Sequence, residues 1–273
     1  MATSGNRFED GRTSVTDLAK KLRSRERLFA GWTSIGHPSI TEIIVSSGID
    51  FMGIDLEHST INQEQSQRLI AACQAARVPC LPRVASHNAE QVRRLLESGA
   101  DGVIVPMVST PAQVSEIVQW CKYPPVGKRS YGVARAHGYG VDFEAYTKEW
   151  NARSVILIQI ESIAGVEAVN ALVANDSVDG VLIGPYDLSG SLGIPGQLSH
   201  PMVVEACKRV VDACRRAGKS CGSHLVDATE ENIVATFDAG YTFAVLASDV
   251  FILWKWSERT RSLIQSIRPG ARD

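Results

Sequence analysis

Two carboxylates, Glu161 and Asp187, each close a short apolar run: Val155-Ile-Leu-Ile-Gln-Ile ahead of the first, Val178-Asp-Gly-Val-Leu-Ile-Gly-Pro-Tyr ahead of the second. Apolar runs of this length, bounded by polar residues, read as strands buried on both faces. The segment between them reads as a helix, so the pair makes a right-handed βαβ unit with adjacent parallel strands. Both acids then project from the C-terminal edge of one sheet. Two carboxylates converging there suit a hard divalent cation such as Mg²⁺ or Mn²⁺, with water or substrate oxygens filling the octahedron. The alternative makes each acid the cap of the helix that follows it. Gln159 and the Gly184-Pro185 bend beside the pair tip the reading toward metal.

The elements needed to hold such a pair recur along the whole chain. Strands are expected over 28–32, 50–55, 79–83, 102–106, 155–160, 180–183, 220–222 and 243–246. Helices are expected near 39–47, 63–77, 88–98, 111–121, 163–174, 201–217, 229–239 and 249–266. Gly48, Gly99, Gly218 and Gly240 each follow a helix, where a left-handed C-cap is wanted. Eight β-α units without a composition shift indicate an α/β chain folded as one TIM (β/α)₈ barrel over 14–273. Residues 1–13 read as a disordered N-terminus, and Ser14-Val-Thr-Asp17 as a capping box opening a short helix. A doubly wound sheet is the runner-up, but no G-x-G-x-x-G or P-loop is present. The Gly- and Pro-rich stretch 123–140 breaks the rhythm and is expected as a lid or subunit contact over the active face.

Catalytic residues of such a barrel sit at the C-terminal strand ends. Those ends carry Trp32, Asp55-Leu-Glu57-His58, Arg83, Gln159 with Glu161, Asp187, and Ser223-His224. A metal chelating a 2-oxo acid through its keto oxygen and carboxylate would stabilise an enolate. Arg83 could neutralise oxyanion charge beside it. Histidine titrates near neutral pH, so His58 could carry a proton to and from a C4 hydroxyl. Deprotonating that hydroxyl breaks the C3–C4 bond and releases an aldehyde. The other aldolase chemistry is a lysine Schiff base. None of the eight lysines ends an expected strand; Lys219 opens strand seven, at the opposite rim.

Composition excludes several classes. The 273 residues are 44% hydrophobic and 21% charged with a formal charge of −2, which offers nucleic acid no basic footprint. No apolar run reaches the roughly 20 residues of a membrane helix, and no signal-peptide core opens the chain. Six cysteines without a C-x-x-C pair read as buried free thiols in a reducing cytoplasm. His37, His87, His137 and His200 read as caps or solvated loop residues, and Trp254 and Trp256 as fillers of a subunit interface.

Asp55-x-Glu57-His58, Pro82-Arg83, Val105-Pro-Met107, Tyr123-Pro-Pro, Gln159-Ile-Glu161 and Ile183-Gly-Pro-x-Asp187-Leu-Ser together resemble the HpcH/HpaI aldolase family, in order from about Gly31 to Gly240. The resemblance implies a homo-oligomeric class II aldolase, a hexamer or smaller assembly, using Mg²⁺, Mn²⁺ or Co²⁺. Such enzymes cleave 4-hydroxy-2-oxo acids to pyruvate and an aldehyde. It makes His58 the proton acceptor, Arg83 the transition-state stabiliser, and Glu161 and Asp187 the metal ligands. Gln159, Tyr186, Asp187 and Asp55 become substrate-binding residues. Glu97 stands where many members carry an aspartate that raises the basicity of the histidine, one methylene longer here. By helix direction it lies at the N-terminal rim, so it would have to serve a neighbouring subunit. Tyr186 stands where degradative members carry a small residue, which leaves the aldehyde open. A biosynthetic enzyme using the same enolate on oxaloacetate, for bond formation or decarboxylation, is the alternative; a non-catalytic barrel is the third reading.

Overall fold

Successive side chains of a strand face opposite ways, and here the two directions feed two separate cores. The computed structural model describes residues 15–268. Eight parallel strands follow one another in chain order: β1 (Leu28–Thr33), β2 (Phe51–Asp55), β3 (Cys80–Arg83), β4 (Gly102–Val105), β5 (Val155–Ile160), β6 (Gly180–Ile183), β7 (Ser220–Leu225) and β8 (Phe243–Leu246). β8 pairs with β1, so the sheet closes, and closure rules out the doubly wound alternative. The expected (β/α)₈ barrel is the fold.

The helices are α1 (Val15–Arg23) before the first strand, then α2 (Pro38–Val45), α3 (Gln63–Ala75), α4 (Ala89–Glu97), α5 (Pro111–Cys121) and α6 (Phe143–Arg153). After β5 come α7 (Ile163–Val173), α8 (Pro185–Ser191), α9 (Pro201–Arg216), α10 (Glu230–Asp238) and α11 (Asp249–Ile267). The C-cap glycines 48, 99, 218 and 240 have φ of +88, +104, +68 and +94°. The disorder expected of residues 1–13 and the capping box at Ser14 lie outside the described residues.

Inward-facing Leu28, Ala30 and Trp32, Phe51, Leu81, Val155, Leu157, Leu182, Phe243 and Val245 fill the lumen, and Leu18, Ala19 and Leu22 of α1 join them from the N-terminal mouth. Outward-facing Ile156, Ile158 and Ile160 pack under the helices. Each of these fully buried isoleucines contributes about 1.5–3 kcal/mol. The lumen pairs large residues with absent ones. A Cβ on Gly53 would stand 2.2 Å from the Trp32 ring, and one on Gly222 would stand 2.1 Å from the Phe243 ring. The two glycines therefore make the room that the two rings occupy.

Four features differ from the sequence expectation. β7 runs to Leu225 rather than stopping at 222, because its polar Ser223 and His224 still pair with β8. α8 is a short helix with Pro at its first turn, in a segment whose glycines and serines hide it. α6 was not expected, since among its side chains only Tyr146 and Trp150 are buried. The stretch 123–140 is not over the active face. It follows α5, which runs antiparallel to the strands, and so it lies at the N-terminal rim. There Arg135 Nη1 donates to the Ser98 carbonyl at 2.8 Å, just past the end of α4. The His137 ring ties the loop together, accepting from Gly140 N at 3.1 Å and meeting the Gly132 carbonyl at 2.8 Å.

Candidate active site

The inward parity that builds the lumen core also builds the site above it. On β5, Val155 and Leu157 face inward, so Gln159 and the following Glu161 do too. The same count turns Trp32, Asp55, Arg83 and His224 toward the C-terminal mouth. Arg83, Gln159, Tyr186, Asp187, Trp32 and His224 line a cavity of about 260 Å³ there, with Leu198, Val226 and Phe251 among its apolar walls. A larger groove of about 610 Å³ lies outside the barrel along α9 and shares only Pro185 and Leu198 with this cavity. It holds none of the polar strand-end residues and is not the candidate.

Glu161 is held through both of its oxygens. Its Oε1 accepts from Met107 N at 2.7 Å and its Oε2 from Gln159 Nε2 at 2.5 Å. Met107 reaches it from a left-handed backbone, φ +53°, a costly conformation for a side chain of its kind. Burial raises the Glu161 pKa; the Met107 N–H opposes this, and the charges of Glu57 and Asp187 push it up further. Gly184 keeps the space beside it clear, since a Cβ there would stand 2.7 Å from Glu161 Oε2. Glu161 does not cap α7; Ser162 does, accepting from Gly165 N at 3.2 Å. Asp187, exposed in the first turn of α8, is not a cap either, since the N-cap there is Gly184.

Arg83 is held by Asp55. Its Nε and Nη2 donate to Asp55 Oδ1 and Oδ2 at 3.0 and 2.9 Å, while Nη1 lies 3.1 Å from Glu57 Oε2 and 3.5 Å from Gln159 Oε1. The Glu57 contact is an ion pair without hydrogen-bond alignment, for Glu57 Oε2 is buried and accepts no hydrogen bond. The guanidinium also rests over the Trp32 ring, 5.0 Å from its centroid. Burial alone would raise the Asp55 pKa. Arg83's hydrogen bonds and charge, with the N–H groups of His58 and Glu57, bring it below the usual carboxylate value. Asp55, expected to contact substrate, thus has both oxygens engaged within the protein and does not line the cavity.

His58 stands at the mouth with its side chain 66% exposed and its Nε2 3.8 Å from Glu57 Oε2. Asp249, which no motif of the sequence singles out, ties down the β1–α2 turn. It accepts from Thr33 Oγ1 at 2.6 Å and from the N–H groups of Ser34 and Ile35, both at 2.9 Å to their nearest oxygen. Its signal is a serine-aspartate pair opening a helix, which reads as an ordinary cap. His37 and His200 are caps as expected, accepting from Ser39 N and Met202 N. All six cysteines are free. Among the described residues no lysine lines the cavity.

The donors fit a divalent cation. Glu161 and Asp187 offer hard oxygens, Gly184 leaves room beside one of them, and the acids Glu57, Glu161 and Asp187 repel one another. Arg83 is already engaged. Among the described residues no three His, Cys, Asp or Glu side chains converge as a cage, so only a cation that keeps water or substrate oxygens suits the site.

The profile of the HpcH/HpaI aldolase/citrate lyase family matches residues 29–255. The chain belongs to that family. It is 34% identical over 241 residues to a hydroxypyruvate/pyruvate aldolase of Roseobacter denitrificans, covering 88% of this chain and 93% of that one. It is 31% identical over 258 residues to a 4-hydroxy-2-oxovalerate aldolase of Novosphingobium aromaticivorans, covering 90% and 97%. The crystal structure of an HpcH/HpaI aldolase from Desulfitobacterium hafniense superposes with a TM-score of 0.85 at 29% identity, covering 94% and 99%. The chain is accordingly an aldolase, a carbon–carbon lyase of the HpcH/HpaI family. Of the residues carried over from the family motifs, Arg83, Gln159, Tyr186 and Asp187 share the cavity and Glu161 adjoins Gln159. Glu97 does not join them. It ends α4 at the opposite rim, where a Cβ on Gly132 would stand 3.6 Å from its Oε1. No helix among the described residues is long and apolar enough to cross a membrane.

Proposed function

We propose that this HpcH/HpaI aldolase cleaves and forms 4-hydroxy-2-oxo acids, with pyruvate as the enolate half and an aldehyde as the other, in a divalent-metal-dependent reaction. The observation that carries the reading is the cleared space at Glu161: a buried, pKa-raised carboxylate beside Asp187, with Gly184 where any side chain would intrude. A divalent cation held by Glu161 and Asp187 would polarise the keto oxygen of the 2-oxo acid. Arg83 lines the same cavity, and its positive charge would offset the developing oxyanion charge. Gln159 bridges Arg83 and Glu161 and holds both at fixed spacing. His58, exposed at the mouth, takes the proton from the C4 hydroxyl. The C3–C4 electron pair then passes into the enolate and the aldehyde leaves; a proton returned to C3 gives pyruvate.

The assembly is read as a homo-oligomer. Ile252, Leu253, Trp254 and Trp256 of α11 are about half or more exposed, and Phe29, outward on β1, is 37% exposed. An apolar surface of that kind is what a second copy covers. Chelation tests the metal-enolate reading. EDTA is expected to abolish pyruvate release and Mg²⁺, Mn²⁺ or Co²⁺ to restore it. Full activity after exhaustive chelation, or a borohydride-trapped covalent adduct, would sink it. Comparing pyruvate release with condensation across an aldehyde panel separates degradative from biosynthetic use.

A further inference from the structure

β7 directs Ser220, Gly222 and His224 inward, and the last of these reaches the cavity wall. The His224 ring lies between two aromatic rings, 5.2 Å from Trp32 and 5.5 Å from Phe251. Its Nε2 is buried and has no hydrogen-bond partner. A buried ring nitrogen is expected to be paired, and the ring that carries this unpaired one lines the cavity. Arg83, Gln159 and Asp187 serve the oxo-acid half in the reading above. The rest of the lining includes Trp32, Phe251, Val226, Leu198 and Tyr186, with His224 as the one imidazole of the cavity.

The one positive charge beside these residues is Arg83, which lines the same cavity and rests over Trp32. Burial lowers the His224 pKa to about 4; the Ala247 backbone opposes this and Arg83's charge adds to it, so the ring is neutral at neutral pH. Arg83 is engaged by Asp55 and Glu57. Lys255, one helical turn beyond Phe251, is paired with Asp227 at 2.7 Å. A carboxylate brought against these residues would lose its water and find only a guanidinium already paired with two carboxylates.

We propose that His224 is the specificity-determining residue for the aldehyde half, which is an uncharged hydroxyaldehyde: its hydroxyl pairs with the unpartnered imidazole nitrogen while its carbon chain lies on Trp32, Phe251, Val226 and Leu198. This rests on the pyruvate-enolate reading of the same cavity. A site built to pair a hydroxyl discriminates strongly against the analogue lacking it, because its own polar group is then left unpaired.

The test uses the full-length enzyme with Mn²⁺ and pyruvate, and reads kcat/KM for condensation with matched aldehydes. Glycolaldehyde is set against acetaldehyde, 2-hydroxypropanal against propanal, and succinic semialdehyde serves as the charged probe. Wild-type enzyme is expected to prefer each hydroxyaldehyde by about tenfold or more and to use the semialdehyde least. His224→Leu is expected to lower that ratio toward one, and His224→Gln, which keeps a hydrogen-bonding head, to recover part of it. The ratio, rather than the absolute rate, separates selection from a general loss of packing. If His224→Leu does not fold, the wild-type panel and His224→Gln still decide. Equal use of each matched pair by wild type, an unchanged ratio in both variants, or preference for the semialdehyde would overturn the inference while leaving the enolate reading intact. Wild-type enzyme that also fails to decarboxylate oxaloacetate would overturn both.

Discussion

Asp55 and Arg83 are register partners across β2 and β3, and their side chains meet through two parallel hydrogen bonds of 3.0 and 2.9 Å. The carboxylate also accepts from the N–H groups of Glu57 and His58, at 3.1 and 3.3 Å. One side chain thus fixes the guanidinium and the start of the loop that carries the proposed base. Removing one partner of a buried ion pair costs about 3–5 kcal/mol. Asp55→Ala is expected to lower the urea midpoint accordingly and to lose turnover, with both effects read on the same preparation.

Arg83 and His58 are separable by choice of reaction. Arg83→Lys keeps a charge but loses the planar fork that Asp55 grips. It is expected to damage both aldol cleavage and oxaloacetate decarboxylation, because both pass through the enolate. His58→Ala is expected to slow aldol cleavage by about a hundredfold or more and decarboxylation far less, since oxaloacetate has no C4 hydroxyl to deprotonate. Equal losses in the two assays would show that the histidine has another role.

Asp101 supplies a pH dependence that belongs to the fold rather than to the chemistry. It is buried, its Oδ2 accepts from Cys80 N at 2.9 Å, and burial raises its pKa to about 6, against the opposing Cys80 N–H and Arg153 charge. A raised acid pKa means the folded state holds the proton more tightly than the unfolded chain does. Its stabilisation is therefore complete below the unfolded value of 3.8 and is lost as pH rises through about 6. The loss amounts to about 3 kcal/mol. Asp101→Asn keeps an acceptor for Cys80 without the charge, and thermal melts between about pH 4 and pH 7 are expected to show a flatter profile than wild type.

Glu97 offers a test of the assembly. It ends α4 beside the loop at Gly132, on the rim opposite His58 of the same chain. If it tunes a histidine, that histidine belongs to a neighbouring subunit. Mixing inactive His58→Ala with impaired Glu97→Ala subunits is then expected to regain part of the activity, as measured by pyruvate release. Wild-type behaviour of Glu97→Ala on its own would instead leave it a surface acid.

The strand ends were legible because inward parity runs straight through them. Val155, Leu157, Gln159 and Glu161 keep one alternation from apolar floor to polar mouth, and the apolar part announces the strand. β7 gives no such announcement: its inward residues are Ser220, Gly222 and His224, small or polar, so the pattern marks only the first three residues of the strand and stops short of the histidine. Met107 and Gly184 act on Glu161 through backbone, by an N–H aimed from a left-handed turn and by a missing Cβ. Neither leaves a mark in a hydrophobicity pattern. The length and composition of 123–140 suggest a lid over the active face, but its topology sets it at the opposite rim. A connection that follows a helix returns to the N-terminal rim whatever its composition.

Trp32 touches both ends of the reaction. Its ring carries Arg83 on one contact, 5.0 Å from the guanidinium carbon, and meets His224 on another, 5.2 Å between centroids. Gly53 beneath it fixes how deeply the indole sits, since any larger residue would collide with the ring. Neighbours that share a packed side chain do not change independently. A lineage that altered position 224 to accept a new aldehyde would tilt the indole, and the tilt would be felt at the guanidinium. Selectivity and turnover in this barrel are then one inherited trait with a single aromatic pivot, and a change of diet would have to be followed by repair at Arg83's support.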